Sequence, residues 1–87
     1  MYVHIGKESV INSDDIMAIF NIKSLTRKKD LKEICKNIGI SDNIIDVSEN
    51  NKKTLIICNL NKTLKGYITN ISSTTIAKRC NARYVNI

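Results

Sequence analysis

The chain has no proline and no tryptophan, only one histidine and three isolated glycines in 87 residues. Without proline, repeats or a low-complexity stretch there is no linker, and residues 1–87 read as one domain. Gly6, Gly39 and Gly66 stand far apart, so no glycine-rich loop cradles a phosphate. His4 has no histidine partner, and no two of Cys35, Cys58 and Cys80 have ligand spacing, so no metal and no cofactor is expected. An odd number of widely spaced cysteines in apolar patterns, with no hydrophobic leader, reads as buried thiols in a reducing cytoplasm rather than disulfides. No apolar run is long enough to cross a membrane.

Catalysis is as poorly supplied. Acid–base chemistry needs two groups of separated pKa in one pocket. Asp14 and Asp15 are adjacent in a turn and point apart, while Asp42, Asp46 and Glu49 are scattered. No Ser–His–Asp or Cys–His set exists around the single His4, which reads as a half-exposed polar group on a strand. The expectation is no enzyme and no small-molecule substrate.

What the chain does have is positive charge, +6 in formal count. A cytoplasmic domain so charged is biased toward a polyanion. Part of the excess has a plainer source, since a sequence rich in Asn, Ile and Lys is what an AT-rich genome encodes.

Hydrophobic periodicity orders the elements. Tyr2 and His4 fall opposite Val3 and Ile5 on a first strand. Gly6-Lys7-Glu8-Ser9 turns, and Val10-Ile11 return. Asn12 to Asp15 is a second turn, and Ile16 to Ile22 a third strand. Leu31, Ile34, Cys35 and Ile38 then recur at helical spacing, with Thr26 as cap and Gly39 just past the end. Ile44 to Val47 is a strand, and residues 50–53 a loop or hairpin tip. Thr54 to Cys58 is a continuous apolar run suited to burial on both faces. Thr63 to Thr69 is a strand broken by Gly66. Ser72 to Thr75 open a last helix with Ile76, Ala77 and Cys80 inward. Beyond residue 81 order is expected to decline, although Tyr84, Val85 and Ile87 offer an apolar edge. The fold class is α+β, a small mostly antiparallel sheet in the order β-β-β-α-β-β-β-α. So small a domain has a thin stability margin, and with disulfides and metals set aside self-association is the expected supplement.

The binding candidates are basic. Lys52 and Lys53 lie at the tip between two strands, where lysines either meet phosphates or simply solvate a turn. Residues 23–39 carry six Lys or Arg against two acids. Its cluster Arg27, Lys28, Lys29, Lys32, Lys36 reads first as a solvated helix face. It lacks the interleaved aromatics that single-strand stacking needs. Ser72 to Thr75 read first as an N-cap and second as an anion site. Lys78, Arg79 and Arg83 add positive charge, and Arg79 and Arg83 flank the Ile76/Cys80 stripe, which suits a subunit contact as well as a phosphate contact.

Several segments together carry a resemblance. Tyr2-Val3-His4-Ile5-Gly6, Val10-Ile11, Asp14-Asp15-Ile16-Met17-Ala18-Ile19-Phe20, Lys52-Lys53-Thr54-Leu55-Ile56-Ile57-Cys58 and Ile71 to Arg79 occur in this order. The series resembles the RemA/RemB family of small extracellular-matrix regulators of Gram-positive bacteria, from Met1 to about Arg79. The opening pentad and the Ser-Ser-Thr helix start look closer to the RemB branch. The resemblance implies a fold similar to LytTR-type DNA-binding domains. It also implies a ring-like homo-oligomer that contacts double-stranded, AT-rich promoter DNA and regulates matrix or biofilm genes. It places the family's paired arginines near Asn51 and Lys52, with Lys53 adjacent, and matches Arg79 to a family position. The implied DNA-binding set is therefore Asn51, Lys52, Lys53 and Arg79. Lysine in place of arginine keeps phosphate neutralisation and loses bidentate guanine reading. Asp14-Asp15 replace a family arginine in the turn before the third strand, and no DNA role passes to them.

Overall fold

Alternation along the first strand sets the plan. In the computed structural model, which describes residues 1–24 and 28–80, β1 (Tyr2–Gly6) exposes Tyr2 and His4 and buries Val3 and Ile5. β2 (Ser9–Asn12) returns antiparallel, with Val3 opposite Ile11 and His4 opposite Val10. The turn between them needs left-handed backbone at Gly6 (φ 133) and Lys7 (φ 47). The Asn12 side chain then accepts from the Asp14 amide at 3.0 Å and caps a 3-10 turn, Ser13–Asp15. Thr26, Arg27, Arg83 and the expected apolar edge Tyr84, Val85, Ile87 lie outside the described residues.

Four strands form the main sheet in the order β3-β5-β6-β4. These are β3 (Ile16–Asn21), β4 (Ile44–Asp46), β5 (Thr54–Leu60) and β6 (Thr63–Thr69). β5 pairs antiparallel with both β3 and β6. β4 pairs with β6 in parallel, Ile44 opposite Gly66 and Asp46 opposite Ile68. The expected class and element order hold, with 3-10 turns at Ser13–Asp15 and Ile22–Ser24 added.

Both faces of this sheet are covered, and the central strand shows why. All five residues from Thr54 to Cys58 are buried. Leu55 and Ile57 join Ile68, Ile40 and Cys35, against Leu31, Ile34 and Ile38 of α1 (Lys28–Ile38). Ile56 and Cys58 face the other way, against Val3, Ile5 and Ile11 of the hairpin, Ile76 of α2 (Ser73–Arg79) and its C-cap residue Cys80. Ile5, Ile19, Ile56 and Ile76 are wholly buried. Each such side chain contributes roughly 1.5–3 kcal/mol relative to exposure.

Two irregularities place side chains correctly. The β3–β5 register slips between Ile16 and Ala18, so Met17 is an extra, 57% exposed residue. The slip lets Ile16 and Ile19 share one core while Ala18 and Phe20 face the other. Gly66 does not break its strand, as its composition suggests it would; β6 runs through it. A Cβ there would lie 2.9 Å from Ile40 Cδ1, so glycine is kept for close packing. Gly39 does end α1 as expected, at φ 85, with its amide and that of Ile40 donating to the Cys35 carbonyl.

Candidate nucleic-acid interface

The parallel pairing of β4 corrects one expectation about Lys52 and Lys53. A hairpin tip would join neighbouring strands, but β6 lies between β4 and β5. Residues 47–53 therefore form a crossover spanning two strand spacings, about 10 Å, over the C-terminal end of β6. The Val47 amide donates to the Ile68 carbonyl at 2.8 Å, and the Lys53 amide to that of Thr69 at 3.0 Å. The Ile22 amide donates to the Lys53 carbonyl at 2.9 Å. Lys53 is thus fixed by both backbone groups, with its side chain half-buried.

Within this crossover, Glu49 (φ 53) and Asn50 (φ 71) are both left-handed, and the Asn51 amide closes onto the Ser48 carbonyl at 3.0 Å. Asn51 and Lys52 are exposed beyond that tight turn. Ser48 is wholly buried and donates to Asp46 Oδ1 through its amide at 2.8 Å and its hydroxyl at 2.5 Å. Lys52 Nζ stands 3.7 Å from the other Asp46 oxygen, with both side chains nearly half exposed. Burial raises the Asp46 carboxyl, but the Ser48 bonds and the Lys52 ammonium outweigh it and hold it below its ordinary value.

Arg79 sits elsewhere. Its Nη1 donates to the His4 carbonyl at 2.8 Å, so it straps α2 onto β1. The ring Nε2 of His4 in turn donates to the Lys7 carbonyl at 2.6 Å, which sets the tautomer and props the turn. His4 is exposed on its strand. Ser72 caps α2 through its hydroxyl, accepting from the Thr75 amide at 3.2 Å, so the N-cap reading describes this segment. Lys32 and Lys36 are exposed on α1. The side chains of Lys28 and Lys29 lie outside those described.

Asp14 and Asp15 stand at the far end of the sheet. Ile16, next to them, pairs with Cys58, whereas Asn21 at the other end of β3 pairs with Thr54, next to Lys53. The separation is roughly 15 Å along the strand. The two acids therefore do not face the Lys52-Lys53 crossover. Two lysines that linear reading scattered adjoin residues that touch it. Lys23 follows Ile22, whose amide is bonded to Lys53. Lys7 sits in the hairpin turn whose Gly6 lies against Val47 and Thr69. Only the three-dimensional pairing brings these separate segments to one end.

All three cysteines are free and buried, and burial pushes the Cys58 thiol up to about 12, with Asp15 and Cys80 adding to it. Among the described residues no group of three His, Cys, Asp or Glu side chains is placed to hold a metal, and no helix is long and apolar enough to cross a membrane.

Comparison with known proteins adds the family. No curated protein matches the chain, and no solved structure does. The extracellular matrix regulatory protein A-like family, RemA-like, matches residues 2–80 without separating a RemA from a RemB branch. That span holds every described element from β1 to α2, and the family is one of regulators rather than enzymes. The chain belongs to the RemA-like family of extracellular matrix regulatory proteins.

Proposed function

We propose that this protein is a cytoplasmic transcriptional regulator of matrix or biofilm genes that binds duplex DNA as a ring-like homo-oligomer. The observation that carries the reading is the fixed crossover at the end of the sheet. Its backbone is bonded to β6 and to the segment after β3, and it presents Asn51, Lys52 and Lys53 without a flexible arm. Lysines there neutralise phosphates as compact charges. One copy binds feebly; several copies on one assembly act at high effective concentration. Affinity is then electrostatic and steeply salt-dependent, and preference for AT-rich DNA follows groove shape and bending. Arg79 keeps the hairpin in place through His4 and retains further N–H donors for a phosphate.

Self-association has support in exposed apolar side chains. Tyr2 (75%) and Val10 (54%) share the outer face of the hairpin, and Met17 bulges from the edge strand β3. Three unpaired buried thiols suit a reducing compartment.

The reading is tested by fluorescence anisotropy with duplex DNA, duplex RNA and single strands over a salt series, alongside light scattering. Preferential duplex DNA binding by an oligomer supports it. A strict monomer at micromolar concentration, or equal binding to all three, contradicts it. A second reading, an assembly or adaptor protein without useful DNA affinity, is favoured by the Lys52–Asp46 ion pair, which spends part of the crossover's charge.

A further inference from the structure

The crossover, residues 47–53, carries little net charge of its own, one acid against two bases. Between residues 46 and 53 two acids, Asp46 and Glu49, balance two bases, Lys52 and Lys53. Lys52 is already engaged by Asp46 at 3.7 Å. A loop whose charge is partly offset in this way attracts a phosphate backbone more strongly when basic neighbours raise the local potential.

Two neighbours are held in place to do so. Lys23 is exposed, and no acid occurs between residues 16 and 29. Its amide donates to the Asn21 side chain at 3.0 Å, and the preceding Ile22 amide is bonded to the Lys53 carbonyl at 2.9 Å. Lys23 therefore leaves the sheet end one residue beyond the Lys53 contact. On the other flank, Lys7 is exposed at the hairpin turn. The Thr69 hydroxyl donates to the Ile5 carbonyl. An ideal Cβ on Gly6 would meet Val47 Cγ2 at 3.1 Å, and His4 holds the Lys7 carbonyl at 2.6 Å. Glu8 offsets part of the Lys7 charge, so Lys23 is the stronger of the two.

We infer that Lys23 and Lys7 are further phosphate contacts, which flank the Lys52-Lys53 crossover and give it a net positive strip for a duplex backbone. The inference rests on the DNA-binding reading and adds residues from two segments that share no motif with the loop.

The test compares three single-charge variants of the full chain: Lys23→Ala, Lys7→Asn and Lys62→Asn. Asparagine tolerates left-handed backbone, so the turns at Lys7 (φ 47) and Lys62 (φ 71) are preserved. Lys62 lies in the β5–β6 turn at the opposite end of the sheet, so it controls for net charge. Duplex DNA of fixed sequence is titrated over a salt series. Lys23→Ala and Lys7→Asn should each weaken binding roughly three- to tenfold at low salt and flatten the log–log slope by about 0.9 per engaged subunit. Lys62→Asn should change neither. If wild type binds and Lys52→Ala/Lys53→Ala weakens it, but Lys23→Ala and Lys7→Asn match Lys62→Asn, the strip is overturned and the DNA reading stands. Wild-type protein that ignores duplex DNA overturns both.

Discussion

The Thr69 hydroxyl donates to the Ile5 carbonyl, joining β6 to the hairpin across 64 residues of sequence. Thr69 is wholly buried and also accepts from the Ile71 amide at 3.1 Å. The two sheets are thus locked at the end that carries Lys7 and Lys53. Thr69→Val keeps the shape and leaves a buried carbonyl without a donor. It should cost roughly 1–3 kcal/mol, seen as a lower urea midpoint with an unchanged slope.

Gly66 and Ile40 form a second tight pair, with a prospective Cβ 2.9 Å from Ile40 Cδ1. Gly66→Ala should destabilise by about 1–2 kcal/mol. Ile40→Val removes the clashing methyl, so the double variant should be less destabilised than the sum of the singles. A double-mutant cycle by denaturant unfolding measures that coupling, and strict additivity contradicts the packing account.

This glycine illustrates what linear reading cannot reach. In composition Gly66 interrupts an apolar strand; only the position of Ile40, twenty-six residues earlier, turns it into a packing requirement. The buried run Thr54 to Cys58 and the helical stripe of Leu31, Ile34, Cys35 and Ile38 were legible, because local periodicity determines which face is covered. The pairing of β4 was not. Two strands joined by a seven-residue loop look like a hairpin, and nothing local says that a later strand inserts between them. The same non-local packing puts the segments that carry Lys7 and Lys23 at the crossover's end of the sheet. The basic pair itself was legible as a candidate; its Asp46 partner required the folded chain.

Cys58 is pushed up to about 12, mainly by burial. A raised native value means the thiol stays protonated while the unfolded chain ionises. Its contribution to stability is complete below about pH 9 and declines as pH rises toward 12. Thermal midpoints should therefore fall on the alkaline side, and fall less steeply in Cys58→Ala. Native protein should react with a thiol-specific disulfide reagent only slowly at pH 8, and at three thiols per chain once unfolded.

Asp46 shifts the other way. Its lowered native value means that its contribution is present above about pH 4 and lost as pH falls through that native value. Both partners of the ion pair are partly exposed, so the effect is modest and weakened by salt. Asp46→Asn should flatten the acid limb of the stability profile. It should also strengthen duplex DNA binding at low salt, because Lys52 is released from its partner.

The central claim is that Lys52 and Lys53, repeated on an oligomer, hold a phosphate backbone. Its most direct measurement is the salt-dependent affinity of Lys52→Ala/Lys53→Ala for duplex DNA, with particle mass followed by light scattering. The account predicts weaker binding to every duplex, a shallower salt slope and an unchanged assembly. Unaltered affinity at low salt in an intact oligomer would contradict it.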